Sequence, residues 1–217
     1  MVDDGDAMEA NLRDLLFGDL PLAQWATGTE EPFASFARAV TRFAQGDIAG
    51  AARVLRSILQ RPDLESRHRL EAWFGLRQAG EVPPPAEAKQ LLGVVVEVPV
   101  GDGYDTLAAY DDGRVRYLNH AGSVFIGEIP QGSLTTHVRK LLTAGQVLAL
   151  RIGPHQGARP PIPSGLARIS LLTPSGLHFG QGPFEALGRD PLAAPVVAAA
   201  IELLNAIVEL TTSPRRD

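Results

Sequence analysis

Three consecutive prolines, Pro83-Pro84-Pro85, constrain this chain more than any other feature. Proline lacks a backbone N–H and fixes φ, so such a run excludes continuous helix and favours a stiff, extended connector. The apolar spacing changes character across it. Before it, Phe33, Phe36, Ala37, Val40 and Ala44 recur at helical intervals and stop at Gly46. A second set, Ala51, Val54, Leu55, Ile58 and Leu59, follows Asp47, a residue suited to capping a helix start, and ends at Arg61-Pro62. A third, over residues 65–79, carries Leu70, Trp73 and Phe74 before Gly80. Helices joined this closely pack as antiparallel neighbours.

After the prolines the pattern is that of a sheet with helices. Leu91 to Val98 is a branched-aliphatic run like a buried strand. Residues 104–110 and 114–119 flank Asp111-Asp112-Gly113, a hairpin signal, and a short strand is expected through Val124 and Ile126. A helix is expected from Ser133 to about Thr143, a strand over 146–152, and a second hairpin over 167–179 across Pro174-Ser175-Gly176. A last helix is expected over 192–211. This order predicts an α+β protein in which an antiparallel sheet carries helices packed on it. The expected parts are an acidic arm with a short helix (1–31), a three-helix unit (32–82), a connector (83–90) and an α+β domain (91–217).

Composition narrows the function classes. There is no cysteine, so disulfides, thiolate nucleophiles and cysteine-ligated zinc are excluded. The net charge of −5 gives no overall attraction to nucleic acid or anionic lipid. The first residues carry three aspartates where a signal peptide carries positive charge, and the apolar run 195–210 is interrupted by Glu202, Asn205 and Glu209. A cytoplasmic protein with neither nucleic-acid nor membrane partners is therefore expected. Only Lys89 and Lys140 of the 20 basic residues are lysine, a skew that points to a GC-rich, bacterial genome.

The run Phe43-Ala44-Gln45-Gly46-Asp47-Ile48-Ala49-Gly50-Ala51-Ala52-Arg53-Val54-Leu55 resembles the turn and second helix of a tetratricopeptide repeat. The likeness covers about one repeat. Such repeats bury their faces by stacking, so the resemblance implies completion by other helices or by a partner protein. The element order of the C-terminal part is similar to that of profilin-like and roadblock-like domains, which implies a sensing or scaffolding module.

No motif places a catalytic residue, a metal site or a cofactor. The candidate ligand contacts are His120, a potential base that Asp105 or Asp111 can orient, and His155 and Arg159, the ionisable side chains of the long loop from Gly153 to Gly165. His68, His137 and His178 are isolated and read as packing residues. Gly180-Gln181-Gly182 lacks the remaining residues of a phosphate loop and reads as a tight turn. The last helix carries apolar residues on two sides of a narrow polar stripe. Val197, Ile201, Leu204 and Val208 suffice to cover a sheet, which leaves Val196, Leu203, Ile207 and Leu210 as a candidate interface for another protein, a second copy or the N-terminal helices. The expected function is a non-catalytic interaction or scaffolding protein. The alternative is a small-molecule sensor or enzyme with its pocket under the 153–165 loop.

Overall fold

The computed structural model describes residues 12–26, 28–128 and 132–212. The chain is α+β, with N-terminal helices followed by a six-stranded antiparallel sheet and C-terminal helices. It divides into two compact units, one of residues 1–92 with 172–176 and one of residues 93–171 with 177–217. Residues 1–11 and residue 27 of the expected arm (1–31) lie outside the described residues. Its described remainder forms a helical turn at 12–14 and a short helix, α1 (Leu22–Trp25).

In the first unit, α2 (Phe33–Ala44), α3 (Ile48–Leu59) and α4 (Ser66–Gln78) follow the three expected apolar patterns. Asp47 caps α3 as its position implied, its carboxylate accepting from the Gly50 N–H at 2.8 Å. The apolar stripes of the helices meet in a core of Trp25, Phe36, Ala39, Leu55, Ile58 and Leu76. His68 is buried there, with the rings of Trp25 and Phe33 edge-on at 5.4 and 5.2 Å. The proline run is not wholly extended: α5 (Pro85–Ala88) is one helical turn with Pro85 at its first position. The first turn of a helix has no use for the amide that proline lacks, so the run can lead into a helix although it cannot sit inside one.

Glu71, on α4, is 0 % exposed, and neither of its carboxyl oxygens has a hydrogen-bond partner. Burial pushes its pKa up to about 9, Asp19 pushes the same way, and Arg77 opposes them. Arg77 lies under the Leu172–Gly176 turn, where its guanidinium donates to the Pro174 carbonyl at 2.6 Å.

In the second unit the strands run β1 (Gly93–Val100), β2 (Gly103–Tyr110), β3 (Arg114–Leu118), β4 (Val124–Glu128), β5 (Ala167–Thr173) and β6 (Gly176–Gly182), in the spatial order β4-β3-β2-β1-β5-β6. The turn Leu172–Gly176 between β5 and β6 is the piece that groups with the helical unit. Registers are tight: Val96 faces Leu107, Val98 faces Asp105, and Leu107 faces Tyr117 on the next strand.

The strand expected over 146–152 does not form. Residues 146–151 instead continue α6, which runs Thr135–Arg151. A short apolar run fits either a strand or a buried helical segment. Here Leu141, Gly145, Leu148 and Ala149 keep the helical interval and are buried, while Val147 and Leu150 face outward. After the short α7 (Phe184–Leu187), α8 (Ala194–Thr212) packs along α6, and Lys140 pairs with Glu202 at 2.6 Å. The 19 residues of α8 fall within two residues, at either end, of the helix expected over 192–211. By length and composition alone it is the one helix among the described residues long and apolar enough to cross a membrane.

Candidate functional site

Residue alternation and strand register build the site. In a strand, side chains two apart share a face, so Val96, Val98 and Val100 project together from β1. The register then sets Leu107 and Asp105 of β2, and Tyr117 of β3, on that same face. Above them α8 contributes Val197, Ala200, Ile201 and Leu204, and Phe184 of α7 closes one end. These residues line a cavity of about 150 Å³ that opens to solvent. Its inner part, around Val96, Leu107, Val197 and Ala200, is buried. Val98, Val100, Phe184 and Leu204 are half-buried, and Ile201, 43 % exposed, stands at its mouth.

The wall is apolar except at one end, where Asp105 and Tyr117 meet. Tyr117 Oη donates to Asp105 Oδ2 at 2.7 Å. The other carboxylate oxygen, Oδ1, accepts twice from His120, from its backbone N–H at 2.9 Å and its ring Nδ1 at 2.8 Å. Burial alone would raise the Asp105 pKa, but these hydrogen bonds outweigh it and hold the carboxyl below its ordinary value. The same contacts raise Tyr117: burial comes first, then the hydrogen bond to and charge of Asp105. Asp105 is thus an anion and Tyr117 a neutral phenol, and the anion fixes the His120 tautomer with its proton on Nδ1.

Local structure brings His120 to this point. It sits in the β3–β4 connection, where Asn119 Oδ1 accepts from the Ala121 and Ser123 N–H groups at 3.1 and 2.7 Å and ties the turn. Gly103, across the β1–β2 hairpin, allows the approach, since a Cβ there would lie 3.2 Å from the His120 Cβ. The imidazole remains about 43 % exposed at the rim.

Of the expected ligand contacts, His120 and its orienting Asp105 are together. His155 and Arg159 are not among the residues lining this cavity. The His155 backbone N–H donates to Leu177 O at 2.6 Å, its Nε2 lies 3.1 Å from Ala158 O, and its ring packs on Phe179 at 5.3 Å. The 153–165 loop is anchored by Arg168, which sequence reasoning missed. That arginine is 1 % exposed, donates to the carbonyls of Pro160 and Pro161 at 2.6 and 3.0 Å and to Gln181 Oε1 at 2.7 Å, and lies 4.6 Å above the Phe179 ring. An arginine inside the apolar run Ala167–Thr173 was the available signal, since a buried charge implies a dedicated set of acceptors.

The four residues expected to form a partner face are divided. Val196, Leu203 and Ile207 are 0, 0 and 2 % exposed within the chain itself, while Leu210 is 44 % exposed. The buried arc runs Val196, Ala199, Ala200, Leu203, Ile207, an i, i+3, i+4, i+7, i+11 stripe. Its centre passes through Ala199 and Ala200, which carry little weight in a reading based on large residues. The apolar residues left outward are Ile201, Val208 and Leu210. Among the described residues, no three of His, Asp and Glu are grouped to hold a metal ion. No protein-family model matches the chain, and no curated protein matches its sequence.

Proposed function

We propose that this protein is a binding module whose C-terminal unit takes a small, largely apolar ligand between the sheet and α8. The observation that carries this reading is the cavity of about 150 Å³, apolar along its length and polar at one end. Binding sites commonly combine apolar walls with a few placed polar groups, and a dry apolar cavity of about this volume suffices for a ligand the size of benzene. Ala200 is the natural site for a test, because it faces the cavity and is nearly fully buried. Ala200→Leu fills the space with side-chain atoms. It is expected to abolish toluene binding, read by amide shifts of Val98, Leu107 and Ala200 neighbours, while the melting temperature holds or rises. Wild-type protein that shows no such shifts with saturating toluene would refute the reading.

A second reading is the interaction protein that the sequence suggested, with the tetratricopeptide-like helices and α8 as protein-binding surfaces. Its support is the outward apolar residues Ile201, Val208 and Leu210 of α8 and Val147 and Leu150 of α6. The interface is then these residues in place of the buried Val196, Leu203 and Ile207. Ile201→Asp with Val208→Asp should remove a native partner from affinity purification while the protein stays folded; unchanged recovery would count against it.

A further inference from the structure

We infer that the ligand of this cavity is a short apolar molecule bearing a hydrogen-bond donor, preferentially a primary ammonium group, and that carboxylates are rejected. This rests on the binding reading above and adds the chemical class. The argument is a count of protons at the polar end. A phenol has one proton, and that of Tyr117 goes to Asp105 Oδ2. The backbone and ring N–H groups of His120 on this side both go to Asp105 Oδ1. What the polar end still offers is acceptor capacity alone, the remaining lone pairs of the Asp105 carboxylate and of Tyr117 Oη. No lysine, arginine or histidine is among the described residues lining the space.

A carboxylate head would therefore face an anion with no proton to receive, and burying like charges together costs affinity steeply. An ammonium would face two acceptors and a formal negative charge. An alcohol gains the hydrogen bond without the ion pair and falls between them.

The depth of the space sets the body. Asp105 stands opposite Val98, and Leu107 opposite Val96, one same-face step further in. Such a step is about 7 Å along a strand. The apolar part is thus about the length of a phenyl ring or a six-carbon chain, with its head toward the hairpin end, where exposure rises.

The test uses the full chain and four probes of matched size: n-hexylamine, n-hexanol, n-hexanoate and toluene, titrated into isotope-labelled protein at fixed ionic strength. The expected order is amine, then alcohol, then carboxylate, with at least a tenfold gap between first and last. Asp105→Asn is expected to bring the amine-to-carboxylate ratio to within threefold of unity. Tyr117→Phe, which keeps the carboxylate, should preserve the order, and it serves if the asparagine variant does not fold. Hexanoate binding as tightly as hexylamine, with toluene also bound, would overturn the ligand class and leave the cavity reading standing. Failure of all four to shift the cavity residues would overturn both.

Discussion

Glu71 gives the sharpest quantitative handle on the helical unit. Its carboxyl is fully buried on α4, both oxygens lack hydrogen-bond partners, and its pKa is raised to about 9. In the unfolded chain the same group ionises near the ordinary carboxylate value. The folded pKa is the higher one, so the folded state holds the proton over a window in which the unfolded state has released it. Whatever stability the neutral carboxyl contributes is fully present below the unfolded pKa and drains away as pH climbs to about 9. Each pKa unit is worth about 1.4 kcal/mol, so the loss between roughly pH 5 and pH 8 is on the order of 4 kcal/mol. Glu71→Gln keeps the shape, removes the ionisation and should cancel most of that loss. The assay is urea unfolding of both proteins at roughly pH 5 and pH 8, followed by far-ultraviolet circular dichroism. The variant should be close to wild type at the lower pH and more stable by several kcal/mol at the higher one. An equal difference at the two pH values, or a variant less stable at the higher one, would show that Glu71 ionises in the folded protein near its ordinary pKa, and the reasoning would fail.

Gly18 has φ of +61°, and a Cβ there would stand 2.6 Å from the Leu70 Cβ and 3.0 Å from the Arg67 carbonyl oxygen. Gly18→Ala should cost at least about 2 kcal/mol in denaturant unfolding, from left-handed backbone strain plus overlap. Leu203→Asp puts a charge at a fully buried position of α8. It should lower stability by about 4 kcal/mol or unfold the C-terminal unit, in contrast to the tolerated Ile201→Asp; light scattering and calorimetry separate the two. Tyr117→Phe removes one of the bonds that keep Asp105 ionised. For a carboxyl with a depressed pKa, the stabilisation is present above the unfolded pKa and lost as pH falls through the folded one. The variant should therefore lose about 1–2 kcal/mol at neutral pH and much less in acid, with the Asp105 carboxyl titrating at higher pH by carbon-detected NMR.

The α2–α4 helices and the two hairpins were legible because each has a local signature: apolar residues at 3.6-residue spacing, a capping Asp47, and a glycine at the turn. The segment 146–152 was not. Val-Leu-Ala-Leu satisfies either period, and what decides for helix is continuity with Leu141 and Gly145 on one buried face. His120 was legible as a titratable residue beside a turn. Its geometry was half legible, since Asp105 and Asp111 both precede it in the same hairpin and either could orient it. Register settles the choice, because counting back along the β1–β2 hairpin puts Asp105 on the apolar face beside Val98 and Leu107. A carboxylate at that parity in a strand of apolar partners is the signal for a built polar site. On α8 the sheet-facing set was legible, since Val197, Ile201 and Leu204 lie over the strands, but what covers Val196, Leu203 and Ile207 was not, because side-chain size says nothing of which flank a neighbour approaches.

The hairpin turn Leu172–Gly176 belongs with residues 1–92 although some eighty residues separate them in the chain. Synthesis runs from the N-terminus, so the helices emerge and can condense while the turn does not yet exist. Until it arrives, the Arg77 guanidinium lacks the Pro174 carbonyl, and the Leu92 N–H lacks its acceptor on Leu172, 2.8 Å away in the finished protein. The first unit is thus early to start and late to finish, and its last hydrogen bonds report that the β5–β6 hairpin has been made. A nascent chain stalled before residue 172 would hold a helical unit lacking two acceptors, and release of the stall would close it in a single late step.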